Sequence, residues 1–173
     1  MKITVTPDVF KLAQVFTISR GSRTEAKVLT VRLEDGDHVG WGECVPYARY
    51  DETLESVTAQ IEALPDVFTR EELQSLLPAG AARNAVDCAL WDLEAKKTGK
   101  PVWELAGLDQ PGPEITAYTL SLASPEEMQK QAAENAHRPL LKIKLGTPED
   151  MPRLEAVRAG APEARIIIDA NEG

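Results

Sequence analysis

Leu140-Leu141-Lys142-Ile143-Lys144-Leu145 and, one helix length later, Arg165-Ile166-Ile167-Ile168-Asp169 decide the fold of this 173-residue chain. Both runs are short, apolar and branched, as buried strands are. Between them Thr147-Pro148-Glu149-Asp150 opens a helix with an N-cap hydroxyl, a proline in the first turn and acidic residues behind it. One step upstream the same order recurs. Ile115 to Leu122 reads as a strand, and Ser124-Pro125-Glu126-Glu127 starts the next helix. Strand, helix, strand, helix, strand with crossovers of this length predicts a parallel sheet. The chain stops at Gly173, directly after a strand that should want a covering helix.

Upstream of this sheet, Asp109-Gln110-Pro111-Gly112-Pro113 reads as a linker. Before it, Val28–Leu33 and Val39–Cys44 are strands around a Glu34-Asp35-Gly36-Asp37 turn, with glycine where φ must be positive. The polar stretch Thr17 to Thr24, with Arg20 and Arg23, reads as a mobile loop after an opening strand. Thr69-Arg70-Glu71-Glu72 is a capping box. A longer helix runs from about Ala81 to Lys97, closed by Gly99, with Val86, Leu90, Leu93 and the stem of Lys97 as its apolar stripe. Pro101 opens a short helix that Gly107 ends. Residues 1–110 therefore read as an α+β unit, and 111–173 as the start of an α/β one.

Charge and composition narrow the function. Lys plus Arg number 19 and Asp plus Glu 28, a formal charge of −9, which argues against nucleic acid as a partner. No window approaches a membrane span, and the first residues lack the apolar core of a secretory signal. Cys44 and Cys88 stand apart without metal-ligand spacing, so a reduced, cytoplasmic protein is expected. His38 and His137 read as solvated, Cys88 as core, and Trp41, Trp91 and Trp103 as packing residues.

The chemistry concentrates on the parallel strands. Alternation puts Leu141, Ile143 and Leu145 on one face and Lys142 and Lys144 on the other. Neighbouring ammonium groups disfavour each other's protonation, and partial burial acts in the same direction, toward a usable general base. The pattern alone fits equally a solvated edge strand with two surface lysines. On the next strand Ile167, Asp169 and Asn171 share a face, with Asp169 at the carboxyl end where ligands of parallel α/β folds gather. There it is either a loop acceptor or one of several carboxylates around a hard divalent cation.

Lys142-Ile143-Lys144 followed by Asp169-Ala170-Asn171 resembles the KxK and DxN strand-end motifs of the enolase superfamily, muconate-lactonising subgroup. Gly40-Trp41-Gly42-Glu43-Cys44-Val45-Pro46-Tyr47 and the helix from Ala81 through Leu93 resemble that group's capping domain. With Arg20-Gly21-Ser22-Arg23 added, the sequence most closely resembles the L-Ala-D/L-Glu dipeptide epimerases, along essentially its whole length. The resemblance implies an N-terminal α+β capping domain at 1–110, then the first strands and helices of a modified (β/α) TIM barrel at 111–173, truncated. It also implies Mg²⁺ as cofactor, with Asp169 as its first carboxylate ligand. Lys144 would be the base that removes or returns the α-proton, with Lys142 as its neighbour. Arg20 would bind the side-chain carboxylate of a small acidic dipeptide, and Thr119 would contact substrate. The chemistry implied is metal-assisted α-proton abstraction through an enediolate. A net negative chain repels an acidic substrate at long range, so Arg20, Lys142, Lys144 and the metal must dominate locally.

A complete barrel needs eight strands. The remaining metal ligands and the acid/base for the opposite substrate face have no candidates here. This chain alone is therefore expected to be inactive and to work as part of an isomerase, either as a homo-oligomer or in association with the missing barrel portion. Two other readings stay open: another reaction of the subgroup, such as cycloisomerisation or o-succinylbenzoate synthesis, and a non-catalytic binding or scaffold domain.

Overall fold

The structure, a computed structural model, describes residues 1–18, 21–145, 148 and 150–170. It divides into two compact units: Met1–Phe10 with Ala26–Pro111, and Lys11–Glu25 with Gly112–Gly173.

One sheet has the order β1-β2-β3, with β1 at Lys2–Ile18, β2 at Gly21–Asp35 and β3 at His38–Cys44; the first unit takes β1 up to Phe10, β2 from Ala26 and all of β3. β2 and β3 are antiparallel, with Leu29 opposite Cys44 and Asp35 opposite His38. Gly36 takes φ 60° in the turn, as the Asp35-Gly36 sequence requires. The strands extend further than the sequence reading allowed. The polar stretch expected as a loop from Thr17 to Thr24 is strand at Thr17–Ile18 and at Gly21–Thr24. Hydroxyls of Thr17 and Ser22 pair across the two strands at 2.8 Å, so the polar residues serve the strands rather than interrupt them. Ser19 and Arg20 lie outside the described residues.

Helices follow: α1 at Leu54–Glu62, α2 at Arg70–Leu76, α3 at Ala81–Thr98 and α4 at Val102–Leu105. The Thr69/Glu72 capping box forms as read, at 3.1 Å and 2.8 Å. α1, which the sequence reading passed over, carries its own box between Thr53 and Ser56. At α3 the N-cap is Gly80, which has no side chain to offer. Glu52 supplies the acceptor instead, taking the Ala81 N–H at 2.7 Å, with its carboxylate at the positive end of the helix.

α3 packs on β3 through unusually small residues. A Cβ added to Gly40 would fall 2.1 Å from the Ala89 carbonyl oxygen, and one on Gly42 would fall 2.0 Å from that of Ala85. Helix and strand therefore touch backbone to backbone. The buried face of α3 is Ala82, Ala85, Val86, Ala89 and Leu93, an alanine stripe rather than the Val86/Leu90/Leu93/Lys97 stripe expected. Cys88 falls beside it and is exposed, which corrects its assignment to the core. Trp41 is also exposed, at 50%, with Arg32 5.7 Å from its ring centre. Its place on β3 between two glycines turned to α3 sends its side chain the other way.

The same helix covers the open edge of β3. Asp92 accepts the Trp41 N–H at 2.8 Å, Lys96 donates to the Val39 carbonyl at 2.9 Å, and Asn84 reaches the Glu43 carbonyl at 3.4 Å. Backbone groups that would otherwise offer a template to another strand are occupied.

The second unit contains a parallel sheet of order β4-β5-β6, formed by Tyr118–Leu120, Leu140–Lys144 and Arg165–Asp169. Two helices connect them, α5 at Pro125–Glu134 and α6 at Asp150–Gly160. Ser124 caps α5 by accepting the Glu127 N–H. The corresponding cap expected at Thr147 lies outside the described residues. β4 is shorter than the strand expected over Ile115–Leu122, because only Tyr118–Leu120 pair with β5. Beyond Leu120 the backbone turns to another partner: the Leu122 N–H donates to the Thr17 carbonyl at 3.0 Å. The core here is Leu120, Met128, Ala132, Leu141, Ile143 and Val157, between the sheet and its two helices. Gly160 lets α6 approach α5, since a Cβ there would stand 2.3 Å from the Gln129 carbonyl oxygen. Among the described residues no helix is long and apolar enough to cross a membrane.

Candidate active site

Parallel register places chemistry in rows. Thr119 lies beside Lys142 and Lys142 beside Ile167; one step on, Lys144 lies beside Asp169. Paired residues of neighbouring strands share a face. Leu120, Leu141 and Ile143 go under the helices, and the opposite face carries Thr119, Lys142, Lys144 and Asp169. The lysines therefore stand apart from the apolar core, as alternation along β5 requires.

They meet at one carboxylate. The Lys144 Nζ donates to Asp169 Oδ2 at 2.8 Å, and the Lys142 Nζ lies 2.7 Å from the same oxygen. The two lysines differ in setting: the side chain of Lys144 is 10% exposed and that of Lys142 32%. An ammonium group as enclosed as that of Lys144 is tolerable only with a charged partner, and Asp169 supplies one. Among the described residues the cluster brings two lysines onto one aspartate.

Asp169 is also an oxygen donor at the open end of a strand, which is where a hard cation would be held. Among the described residues no group of three or more His, Cys, Asp or Glu side chains gathers to hold a metal ion. Asp169 thus fits such an ion in chemistry as one ligand of a larger set.

Of the other residues singled out in the sequence, Thr119 lies on the same face, half-buried, one register step behind the Lys144–Asp169 pair. Arg20 lies outside the described residues, and so does Asn171. One residue escaped the sequence reading. Ser121 is only 6% exposed; it and Lys144 are the buried polar residues of the described structure. It follows directly on Leu120, the last residue of β4 paired with β5. Its hydroxyl accepts the Thr17 N–H at 2.8 Å and donates to the Val15 carbonyl at 3.2 Å. Its spacing two residues after Thr119 was the available signal, since that spacing keeps a strand residue on one face.

Residues 1–107 match the family described as mandelate racemase / muconate lactonizing enzyme, N-terminal domain. The L-Ala-D/L-Glu epimerase of Escherichia coli (strain K12) is 44% identical over 98% of this chain and 55% of its own length. A solved enolase family member from Agrobacterium tumefaciens, with homology to dipeptide epimerases, contains bound sodium and L-Ala-L-Glu. It is 59% identical with a TM-score of 0.93, over 99% of this chain and 54% of that one. A dipeptide epimerase from Enterococcus faecalis V583, complexed with Mg and L-Leu-L-Tyr, is 28% identical with a TM-score of 0.86, over 98% and 52%. The chain spans about half the length of the relatives it matches. Its fold is the capping domain of the enolase fold followed by the parallel sheet with which the barrel begins. An α+β domain matched over 1–107, followed by a strand pair that joins two lysines to one aspartate, makes this chain a member of the mandelate racemase / muconate lactonizing enzyme family of the enolase superfamily.

Proposed function

We propose that the protein is a dipeptide epimerase of the L-Ala-D/L-Glu type, acting on a small acidic dipeptide with Mg²⁺ in the cytoplasm. The observation that carries this reading is the convergence of Lys142 and Lys144 on Asp169 at 2.7 and 2.8 Å, at the carboxyl ends of adjacent parallel strands. Lys144 is the acid/base of one substrate face: it removes the α-proton from one configuration, and in the opposite direction of the reaction it delivers a proton to that face. Lys142 lies beside it as a second positive charge. Thr119 and Arg20 bind substrate, with the Arg20 guanidinium on the side-chain carboxylate of the second residue. Asp169 holds the Mg²⁺ ion as one of several carboxylates. The cation's contribution is to stabilise the negative charge that develops on the substrate carboxylate as the α-proton leaves.

Division of labour follows the fold: residues 1–110 form the capping domain that selects substrate, and 111–173 begin the barrel that carries the chemistry. Epimerisation needs an acid/base on each face of the substrate, and Lys144 serves one. The other belongs to barrel strands beyond β6. Ile167 and Ile168 on β6 are 43% and 53% exposed, apolar surface that a further strand and helix would cover. On this reading the 173-residue chain alone is inactive.

The test is α-proton exchange of L-Ala-L-Glu in deuterium oxide, followed by NMR on the enzyme with its complete barrel. Exchange that stops on chelation of Mg²⁺ and returns with it is the expected result. No exchange with this dipeptide, while a lactone or o-succinylbenzoate is formed from the corresponding acid, would replace this reading with another reaction of the subgroup.

A further inference from the structure

We infer that Arg158 is a positioning residue: by closing the turn between α6 and β6 it fixes the register of β6 on β5, and so places Asp169 opposite Lys144. The consequence for Mg²⁺ rests on the reading of Asp169 as one of the ion's ligands. Residues 161–164 alone separate the end of α6 at Gly160 from the start of β6 at Arg165. Nη1 of Arg158 donates to the Pro162 and Ala164 carbonyls at 2.8 Å each, with the Ala161 carbonyl at 3.4 Å. Directly after the turn the Arg165 N–H donates to the Pro139 carbonyl at 3.0 Å, and the pairing of Leu140 with Arg165 begins. Ala161 and Ala164 are 1% and 4% exposed, so both ends of the turn are seated in the core.

The sequence of β6 does not set this register by itself. Ile166, Ile167 and Ile168 are identical, so a slip of one residue still presents isoleucine to both faces of the sheet. On β5 the same slip would turn Lys142 and Lys144 under the helices; β6 carries no such penalty before Asp169. The damage falls on that last residue. Lys144 and Asp169 are register partners bonded at 2.8 Å, and one step of slip puts Ile168 or Ala170 beside Lys144 and turns the carboxylate to the other face. The ion pair itself favours the native register, but a reaction that uses Lys144 as a base removes one of its charges. What remains is the turn. The guanidinium of Arg158 is planar and permanently charged, so its N–H groups hold two carbonyls in one fixed arrangement.

The test is hydrogen exchange of the enzyme with its complete barrel, read by mass spectrometry on peptides covering β5 and β6 and on a reference peptide covering α5. In Arg158→Ala the β5 and β6 amides should exchange about tenfold faster while α5 is unchanged. Arg158→Lys keeps the charge and loses the planar geometry; it should give a smaller change in the same peptides, and it serves if the alanine variant does not fold. The discriminating variant is Arg158→Ala combined with Ile167→Thr, on the face that residue 167 shares with Lys142. A slip would now turn a hydroxyl under the helices, so slow exchange should return. Ile167→Thr alone, with the turn intact, should exchange like the parent. Unchanged exchange in Arg158→Ala, a loss that Ile167→Thr does not repair, or one that spreads equally to α5 would overturn the register role. Isothermal titration with Mg²⁺ alone should show about tenfold weaker binding in Arg158→Ala and recovery in the double variant. If protection is lost and repaired as expected while Mg²⁺ affinity never changes, Arg158 keeps its role and Asp169 is not a ligand of the ion.

Discussion

Gly42 and Ala85 meet backbone to backbone: a Cβ built on the glycine would lie 2.0 Å from the alanine's carbonyl oxygen. That single approach sets the distance between β3 and α3. The obstacle is backbone rather than a flexible side chain, so a methyl group cannot be accommodated by a rotamer change. Gly42→Ala should destabilise the chain by about 3 kcal/mol or more. Gly36→Ala, in the turn at φ 60° with open space around it, should cost only about 1 kcal/mol. Urea unfolding followed by circular dichroism checks both; equal losses would remove the close-packing account.

Lys144→Ala in the enzyme with its complete barrel should slow α-proton exchange on its own face of the substrate by roughly 10²–10⁴-fold. Lys142→Ala should reduce it less. Circular dichroism should show both variants folded. Exchange retained from both substrate configurations in Lys144→Ala would take that residue out of its role.

Asp169→Asn keeps the shape of the side chain and removes its charge. If Asp169 is a cation ligand, the variant should need more Mg²⁺ to reach half-maximal activity, and isothermal titration should show weaker binding of the ion alone. Unaltered Mg²⁺ affinity would leave Asp169 as a partner of the lysines only.

The two thiols should separate in reactivity. Burial, reinforced by the charges of Glu52 and Glu43, pushes the Cys44 thiol up to about 11. At pH 8 roughly one part in a thousand is then thiolate, the reactive form. Burial and then Asp87 push the Cys88 thiol up as well, yet Cys88 is exposed. Iodoacetamide should therefore label Cys88 in the folded chain and Cys44 only after denaturation, as peptide mapping would reveal. Equal labelling of both in the native state would contradict the buried setting of Cys44.

Acid stability depends in part on Asp35. Its hydrogen bond from Lys97, and the charge of that lysine, hold its carboxyl below the ordinary carboxylate value. A lowered folded value means that the pair's contribution is complete above the unfolded carboxylate range and fades as the pH falls through the folded value. Denaturation midpoints measured from neutral pH downward should show Asp35→Asn less stable than the parent near neutrality, with the difference closing in acid. A constant difference across that range would assign the effect to something other than the ion pair. The pair is nearly half exposed, so the difference should be small.

What the sequence determined by itself is what a few consecutive residues settle among themselves. The Thr69/Glu72 box and the Ser124 cap act within one helical turn, and the Asp35-Gly36 turn needs only its own glycine. Alternation along Leu140–Lys144 puts both lysines on one face whatever covers the other. What only the tertiary structure decided depends on which distant surface arrives. Cys88 looks like a core residue and Trp41 like a packing residue until Gly40 and Gly42 meet the alanine stripe of α3 and leave both exposed. Ser121 is an ordinary strand-end serine until the backbone of β1, more than a hundred positions earlier, closes on its hydroxyl. Local hydrogen bonds and periodicity are written in neighbouring residues. Burial and long-range partners are properties of the packed chain, because they depend on contacts that neighbouring residues cannot form by themselves.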